Sequence, residues 1–130
     1  MFTAKFENWA VIALGGIPNK VQVGDMGIDG RIYPVGSEPK VSGAAAGELD
    51  FMDSWYPIQV KQIDKVRRPD IDNFEAAMMR TKRQKGFFIG FDFSADALRE
   101  IDGFFRREHI MIVPLTVREI LDETIAQKLV

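Results

Sequence analysis

The chain has 130 residues, of which 46% are hydrophobic and 28% charged, and this composition is typical of one folded domain rather than of a disordered or fibrous protein. It contains no cysteine, which excludes disulfides, zinc-thiolate and iron-sulfur sites, and a cysteine nucleophile. The formal net charge is −2, but residues 61–85 carry eight basic and four acidic side chains, an arrangement that suits either a polyanion or a solvated helix face. No apolar stretch approaches the roughly 20 residues of a membrane-spanning helix, and the first residues do not resemble a signal peptide. We therefore expect a cytoplasmic protein without a membrane partner.

The first third of the chain predicts a helix followed by short strands around a glycine-rich turn. The helix follows from apolar residues at helical spacing, and the turn from a glycine at every third position. In chain order the predicted elements are a helix over 3–14, a strand at 21–23, a turn over 24–30, a strand at 31–33 and a surface loop over 34–47.

The rest of the chain predicts strands and helices in alternation. The elements are a strand over 57–62, a helix over 69–84, a strand over 86–93, a helix capped by Ser94, a strand over 110–113 and a helix over 117–128 capped by Thr116. The core of the helix after Ser94 is predicted from its apolar positions, Ala97, Leu98, Ile101, Phe104 and Phe105. The single histidine, His109, is expected only to begin a strand. This order predicts an α/β fold, a mixed central sheet with helices on both faces.

Three polar residues of the predicted strands suggest phosphate chemistry. Alternation places Gln59 and Lys61 on one strand face, and an antiparallel pairing across the long loop would bring Asp29 close to Lys61. A carboxylate and an amide oxygen beside an ammonium group suit a hard divalent cation and the cleavage of a phosphodiester. Each residue also has an ordinary interpretation, since Asp29 before Gly30 can shape a turn and the other two can lie on a solvated strand.

The motifs that contain these residues resemble those of the Mrr-type restriction endonucleases, a family of the PD-(D/E)xK nuclease superfamily. The resemblance covers roughly residues 6–98 and rests on Gly24–Gly30 (GDMGIDG), Ile58–Lys61 (IQVK), Phe74, and Lys85–Ile89 (KGFFI) with Phe93-Ser94 after it. It implies that residues 1–130 form a single restriction-endonuclease-like nuclease domain.

The resemblance also implies a role for each site residue. Asp29 corresponds to the metal-binding aspartate, Lys61 to the catalytic lysine and Glu7 to the acid that many members add from their first helix. Gln59 stands where most members have an acid, although the Mrr-type branch commonly has glutamine there. The implied cofactor is Mg²⁺, for which Mn²⁺ can substitute, held by Asp29, Gln59 and the carbonyl of Val60.

The implied function is that of a magnesium-dependent DNA endonuclease in a restriction-modification system. Basic and amide side chains just beyond the catalytic strand would contact DNA phosphates, namely Gln62, Lys65, Arg67 and Arg68. Because this size leaves no room for a recognition module, a homodimer or a fused or partner DNA-recognition or methyltransferase domain is expected. Two alternatives stay open: a catalytically inactive nuclease-like module for DNA binding or assembly, and a nuclease selective for branched DNA.

Overall fold

Five strands and four helices make up the part of the chain that a computed structural model describes. That part comprises residues 2–19, 27–33 and 55–129, with side chains placed over 5–19, 27–33 and 55–123. In chain order the elements are α1 (Phe2–Leu14), β1 (Ile17–Pro18), β2 (Gly30–Ile32), β3 (Tyr56–Val60), α2 (Arg68–Thr81), β4 (Lys85–Gly90), α3 (Ala95–Glu108), β5 (Met111–Thr116) and α4 (Val117–Leu129). The predicted strand at 21–23 and the loop over 34–47 lie outside the described residues.

The strands form one mixed sheet in the order β1-β2-β3-β4-β5. The pairs β1–β2 and β2–β3 are antiparallel, whereas β3–β4 and β4–β5 are parallel. In the β2–β3 pair Gly30 lies opposite Ile58. The antiparallel pairing that the sequence predicted is therefore present, and it joins two segments separated by more than twenty residues.

Helices cover both faces of this sheet, as the sequence predicted for an α/β fold. The neighbouring β4 residues Phe88 and Ile89 point to opposite faces and belong to two separate core clusters. Phe88 packs with buried residues of α2 and α3, and its ring meets Phe74 edge to face at a centroid distance of 5.5 Å. Ile89 packs with buried residues of α1 and α4. The two clusters therefore place α1 and α2 on opposite faces of the sheet.

Several element boundaries differ from their predictions. The helix predicted over 69–84 ends at Thr81, because Lys82 adopts a left-handed conformation (φ 56°) and its N–H donates to carbonyls of the last turn. His109 ends α3 in the same way (φ 60°) and does not begin a strand. β5 continues through Pro114, which a strand at the edge of a sheet tolerates. Both predicted caps are confirmed: Ser94 Oγ accepts from Ala97 N at 3.0 Å, and Thr116 Oγ1 accepts from Glu119 N at 3.1 Å.

The buried stripe of α3 is rotated relative to its prediction. Leu98 and Phe105, which the sequence placed in the core, are exposed, while Glu100 is only 7% exposed. The buried residues of α3 are spaced by three and four positions, Ala97, Glu100 and Phe104. Ala97 and Phe104 belong to the same core cluster as Phe88, whereas Glu100 faces α2. An acid therefore occupies a buried position of this helix. No helix within the described ranges is both long and apolar enough to cross a membrane.

Candidate functional site

An open cleft of about 360 Å³ lies where the carboxyl end of β3 meets α1. The residues that line it come from α1, from the segment before β2, from the end of β3 and from the residues just after β3, and they are Glu7, Gly27, Asp29, Gln59, Val60, Lys61, Gln62 and Ile63. All four residues predicted to carry catalysis are in this set, together with Val60. The structure thus brings together groups that are far apart along the chain.

The position of Asp29 is fixed by the start of the β2–β3 pairing. Its backbone N–H donates to the carbonyl of Ile58, and its Oδ2 accepts the N–H of Val60, each at 2.7 Å. Asn19 adds two further bonds, from its N–H to the carbonyl of Asp29 at 3.0 Å and from Nδ2 to the carbonyl of Ile28 at 2.8 Å. A carboxylate that accepts a buried N–H at this distance is held in one orientation.

Close packing between α1 and the sheet explains the glycine that follows this aspartate. A Cβ on Gly30 would lie 2.6 Å from Cγ1 of Val11 and 2.9 Å from the carbonyl oxygen of Ile17. Glu7 precedes Val11 by one helical turn, so the same contact sets how near Glu7 comes to Asp29. Because Gly30 has no side chain, α1 can pack closely against β2 and bring Glu7 near Asp29.

Glu7 is the most perturbed group of the cleft. Burial raises its pKa to about 7, the charge of Asp29 and a hydrogen bond to Asp29 act in the same direction, and the charge of Lys61 opposes them. Protonated Glu7 therefore donates to the Asp29 carboxylate, and near neutral pH the proton is readily exchanged. Two carboxyl groups that share a proton beside an ammonium group are typical of sites that bind cations or move protons.

The amide of Gln59 is packed against Gly27. Gln59 is 6% exposed, and its Oε1 is buried without a hydrogen-bond partner among the described residues. Gly27 has a φ of 89°, and a Cβ there would lie 3.2 Å from this oxygen. Leaving a buried acceptor unsatisfied costs about 1–3 kcal/mol, a penalty that a cation bound to the oxygen would remove.

Lys61 follows β3 and is held at the junction with β4. Its backbone N–H donates to the carbonyl of Ile89 at 3.0 Å. The side chain lines the cleft, is partly buried, and lies near enough to Glu7 to lower the pKa of that acid. The structure therefore places an ammonium group beside the two carboxyl groups.

The residues predicted to contact DNA occupy two different surroundings. Gln62 lines the cleft, and Lys65 is exposed beyond it with its Nζ 3.7 Å from Asp92. Arg67 is exposed just before α2. Arg68, the first residue of α2, points toward α3, and its Nη2 is 3.5 Å from Glu100. Arg68 is therefore engaged in an ion pair between helices.

A second acidic cluster lies between α2 and α3 and was missed by the sequence reasoning. Carboxylate oxygens of Asp72, Glu75 and Glu100 lie within 4.8 Å of one another, and Arg107 donates to Glu100 at 2.7 Å. Burial, followed by the hydrogen bond to Glu100, raises the pKa of Glu75 to about 8, whereas that hydrogen bond and the one from Arg107 lower the pKa of Glu100. Asp72 and Glu75 are three positions apart on α2, but nothing in the sequence indicates that α3 turns Glu100 toward them.

Comparison of the chain with known protein families, with curated proteins and with solved structures finds no match. The resemblance to Mrr-type endonucleases therefore rests on the sequence motifs, and the roles assigned to Glu7, Asp29, Gln59 and Lys61 stay predictions. The geometry adds that these four residues share one cleft with the Val60 backbone.

Proposed function

We propose that this chain is a metal-dependent endonuclease domain with a restriction-endonuclease-like fold, acting on DNA within a restriction-modification system. The observation that supports this most directly is the convergence of Glu7, Asp29 and Lys61 in one cleft, with the Asp29 carboxylate fixed on the Val60 N–H. The required groups come from α1, from the residue before β2 and from the residue after β3, and packing sets the relative positions of these elements. A chance cluster of exposed charges would lack this burial and this fixed orientation.

The oxygen atoms of the cleft fit a hard divalent cation such as Mg²⁺ or Mn²⁺. Asp29 supplies a carboxylate, Gln59 an unsatisfied amide oxygen and Val60 a backbone carbonyl. When bound, the cation would neutralise charge on the phosphate and lower the pKa of a coordinated water. With glutamine instead of an acid at position 59, the site has one negative charge fewer, so we expect modest cation affinity.

Lys61 and Glu7 supply the remaining chemistry. The Lys61 ammonium, which lines the cleft, would orient the attacking water and stabilise negative charge that builds on the phosphate. Deprotonated Glu7 can accept a proton from that water, because a pKa of about 7 leaves it part ionised at neutral pH. Asp29 holds its orientation throughout, since Val60 N–H fixes one of its oxygens.

DNA would approach past Gln62, which lines the cleft, and the exposed Lys65 and Arg67 beyond it. These side chains bind phosphates without reading bases, so they add affinity but no sequence preference. Selectivity would then come from a fused or partner recognition or methyltransferase domain. Cutting both strands of a duplex requires two such sites, for which a homodimer is the simplest arrangement.

Cleavage of supercoiled plasmid tests the proposal. Purified wild-type protein, Asp29→Ala and Lys61→Ala are compared in Mg²⁺, Mn²⁺ or EDTA. The matched controls Asp64→Ala and Lys85→Ala remove one acid and one base that do not line the cleft. Nicking or linearisation that requires metal, is lost in both cleft variants and persists in both controls is the expected result.

The amide at position 59 favours one alternative, a nuclease-like module that binds DNA or supports assembly without cutting it. This function predicts that the folded wild-type protein shifts DNA in a gel, that Lys61→Ala shifts it equally, and that neither cuts plasmid in any metal. Preferential cutting of four-way junctions over linear duplex would instead identify a nuclease for branched DNA.

A further inference from the structure

Three aromatic rings form a partly exposed stack beside the cleft. Phe6 of α1 stacks on Trp9 at a centroid distance of 6.0 Å with 30° between the planes, and on Phe91 at 5.4 Å with 18°. Trp9 remains 39% exposed and Phe91 46% exposed. Trp9 and Phe91 thus present apolar surface to solvent.

The stack is adjacent to the catalytic groups of the proposed function. Phe6 is the chain neighbour of Glu7, and Phe91 follows directly after β4, whose Ile89 carbonyl accepts the N–H of Lys61. The stack therefore extends from the α1 wall of the cleft to the carboxyl end of the parallel strands. A polymer whose phosphate lay in the cleft would bring its neighbouring units over these rings.

Lysines lie around the rings and indicate what kind of molecule would cover them. Lys5 is exposed on α1 one turn before Trp9, and Lys65 is exposed with its Nζ 3.7 Å from Asp92, the residue after Phe91. Lys65 pairs with Asp92, and Lys61 lies beside Glu7, so the lysines around the rings stand among acids. Near-parallel aromatic rings match the flat faces of nucleobases, and the exposed ammonium group of Lys5 and that of Lys65 can reach the phosphates that join nucleobases.

We propose that Trp9 and Phe91 form a stacking platform for unpaired nucleobases, so that the substrate is DNA with a single-stranded segment beside the cleaved phosphate. The inference rests on the proposed nuclease function, because it names the substrate class of that same cleft. In a duplex each base is covered by its neighbours, so its faces are not available to these rings. Single strands, frayed ends and locally opened DNA offer them directly.

Binding measured without cleavage tests the platform. In EDTA and at one fixed salt concentration, tryptophan emission is followed as oligothymidylate is added, with an abasic oligonucleotide of equal length and a duplex for comparison. The chain has two tryptophans, and Trp55 is 6% exposed, so a change caused by stacking would arise from Trp9. Oligothymidylate should quench the emission, the abasic strand should not, and the duplex should bind more weakly.

Variants in the same buffer assign the effect to the rings. Trp9→Leu and Phe91→Leu should each weaken the binding of labelled oligothymidylate by about tenfold, the loss typical of one base-aromatic contact. Leu98→Ala, which removes a comparably exposed apolar side chain from α3, should leave the affinity unchanged. Circular dichroism establishes that each variant is folded before its affinity is compared.

Three results would overturn the platform: equal affinity for the abasic strand, unchanged affinity in both aromatic variants, or a dimer in sedimentation that Trp9→Leu dissociates. The last result would make the stack an interface with a second copy of the chain. The nuclease proposal fails separately. A protein that cuts no plasmid but is quenched by oligothymidylate retains the platform, and one that cuts plasmid but binds the abasic strand equally loses only the platform.

Discussion

Replacing Gln59 by glutamate would add a third carboxyl group to the cleft, beside those of Glu7 and Asp29. The resulting change in stability would measure how close the new charge lies to them. Gln59 is 6% exposed, and the pairing of Gly30 with Ile58 puts Asp29, the residue before β2, opposite Gln59. Two carboxylates about 5 Å apart repel by roughly 3 kcal/mol at an effective dielectric constant near 20. Since one pKa unit corresponds to about 1.4 kcal/mol, the pKa of the new carboxyl should rise by about two units.

The sign of the pH dependence follows from that rise. The folded protein binds a proton more tightly than the unfolded chain, so the group's stabilising contribution is complete below its unfolded pKa and is lost as the pH rises through the folded one. In EDTA, Gln59→Glu should therefore lose about 1–3 kcal/mol of unfolding free energy, relative to wild type, between pH 4 and pH 8. A divalent cation bound between the carboxylates replaces their repulsion with attraction. We therefore expect Mg²⁺ to bind Gln59→Glu about 10–100 times more tightly than it binds wild type.

Urea unfolding in EDTA at several pH values measures the first effect, and isothermal titration calorimetry with Mg²⁺ measures the second. Gln62→Glu is the matched control, because it adds the same charge to an exposed residue on the rim of the cleft. Its stability should stay within about 0.5 kcal/mol of wild type. The reasoning is refuted if Gln59→Glu and Gln62→Glu show the same pH dependence and the same Mg²⁺ affinity.

Three further predictions concern stability, each measured by urea unfolding. Gly30→Ala should cost about 1–3 kcal/mol in wild type and less, but not zero, in a Val11→Ala background, because the carbonyl of Ile17 still opposes the new Cβ; no cost in that background would contradict this. Wild type should lose stability as the pH rises from about 4.5 to 8 through Glu75, whose folded pKa is raised, and Glu75→Gln should flatten that decline; parallel profiles would exclude the effect. Phe88→Ala should cost about 3–5 kcal/mol, and a loss below about 1 kcal/mol would mean that the α2–α3 layer is not the packed core described above.

Local patterns were sufficient to predict most elements of the described fold. Helical spacing, strand alternation and the caps at Ser94 and Thr116 are properties of neighbouring residues, and the structure confirms them. The predictions failed where the burial of a residue depends on contacts with residues distant in the chain. Glu100 is buried although it is an acid, because Arg107 and Arg68 approach it from α3 itself and from α2. The spacing of apolar residues along α3 does not indicate that Arg68 and Arg107 will pair with Glu100.

The sequence by itself determined which groups are present and roughly where they lie: an aspartate before a strand, a glutamine within another and an acid in the first helix. The strand predicted over 57–62 ends at Val60, so the prediction that Lys61 lies on that strand was wrong, and Lys61 follows it. Only the tertiary structure decided that these groups meet. A long chain segment separates Asp29 from Gln59, so strand register depends on packing rather than on local spacing. The hydrogen bond from Val60 to Asp29 and the raised pKa of Glu7 arise from that packing, because both depend on burial between elements distant in the chain.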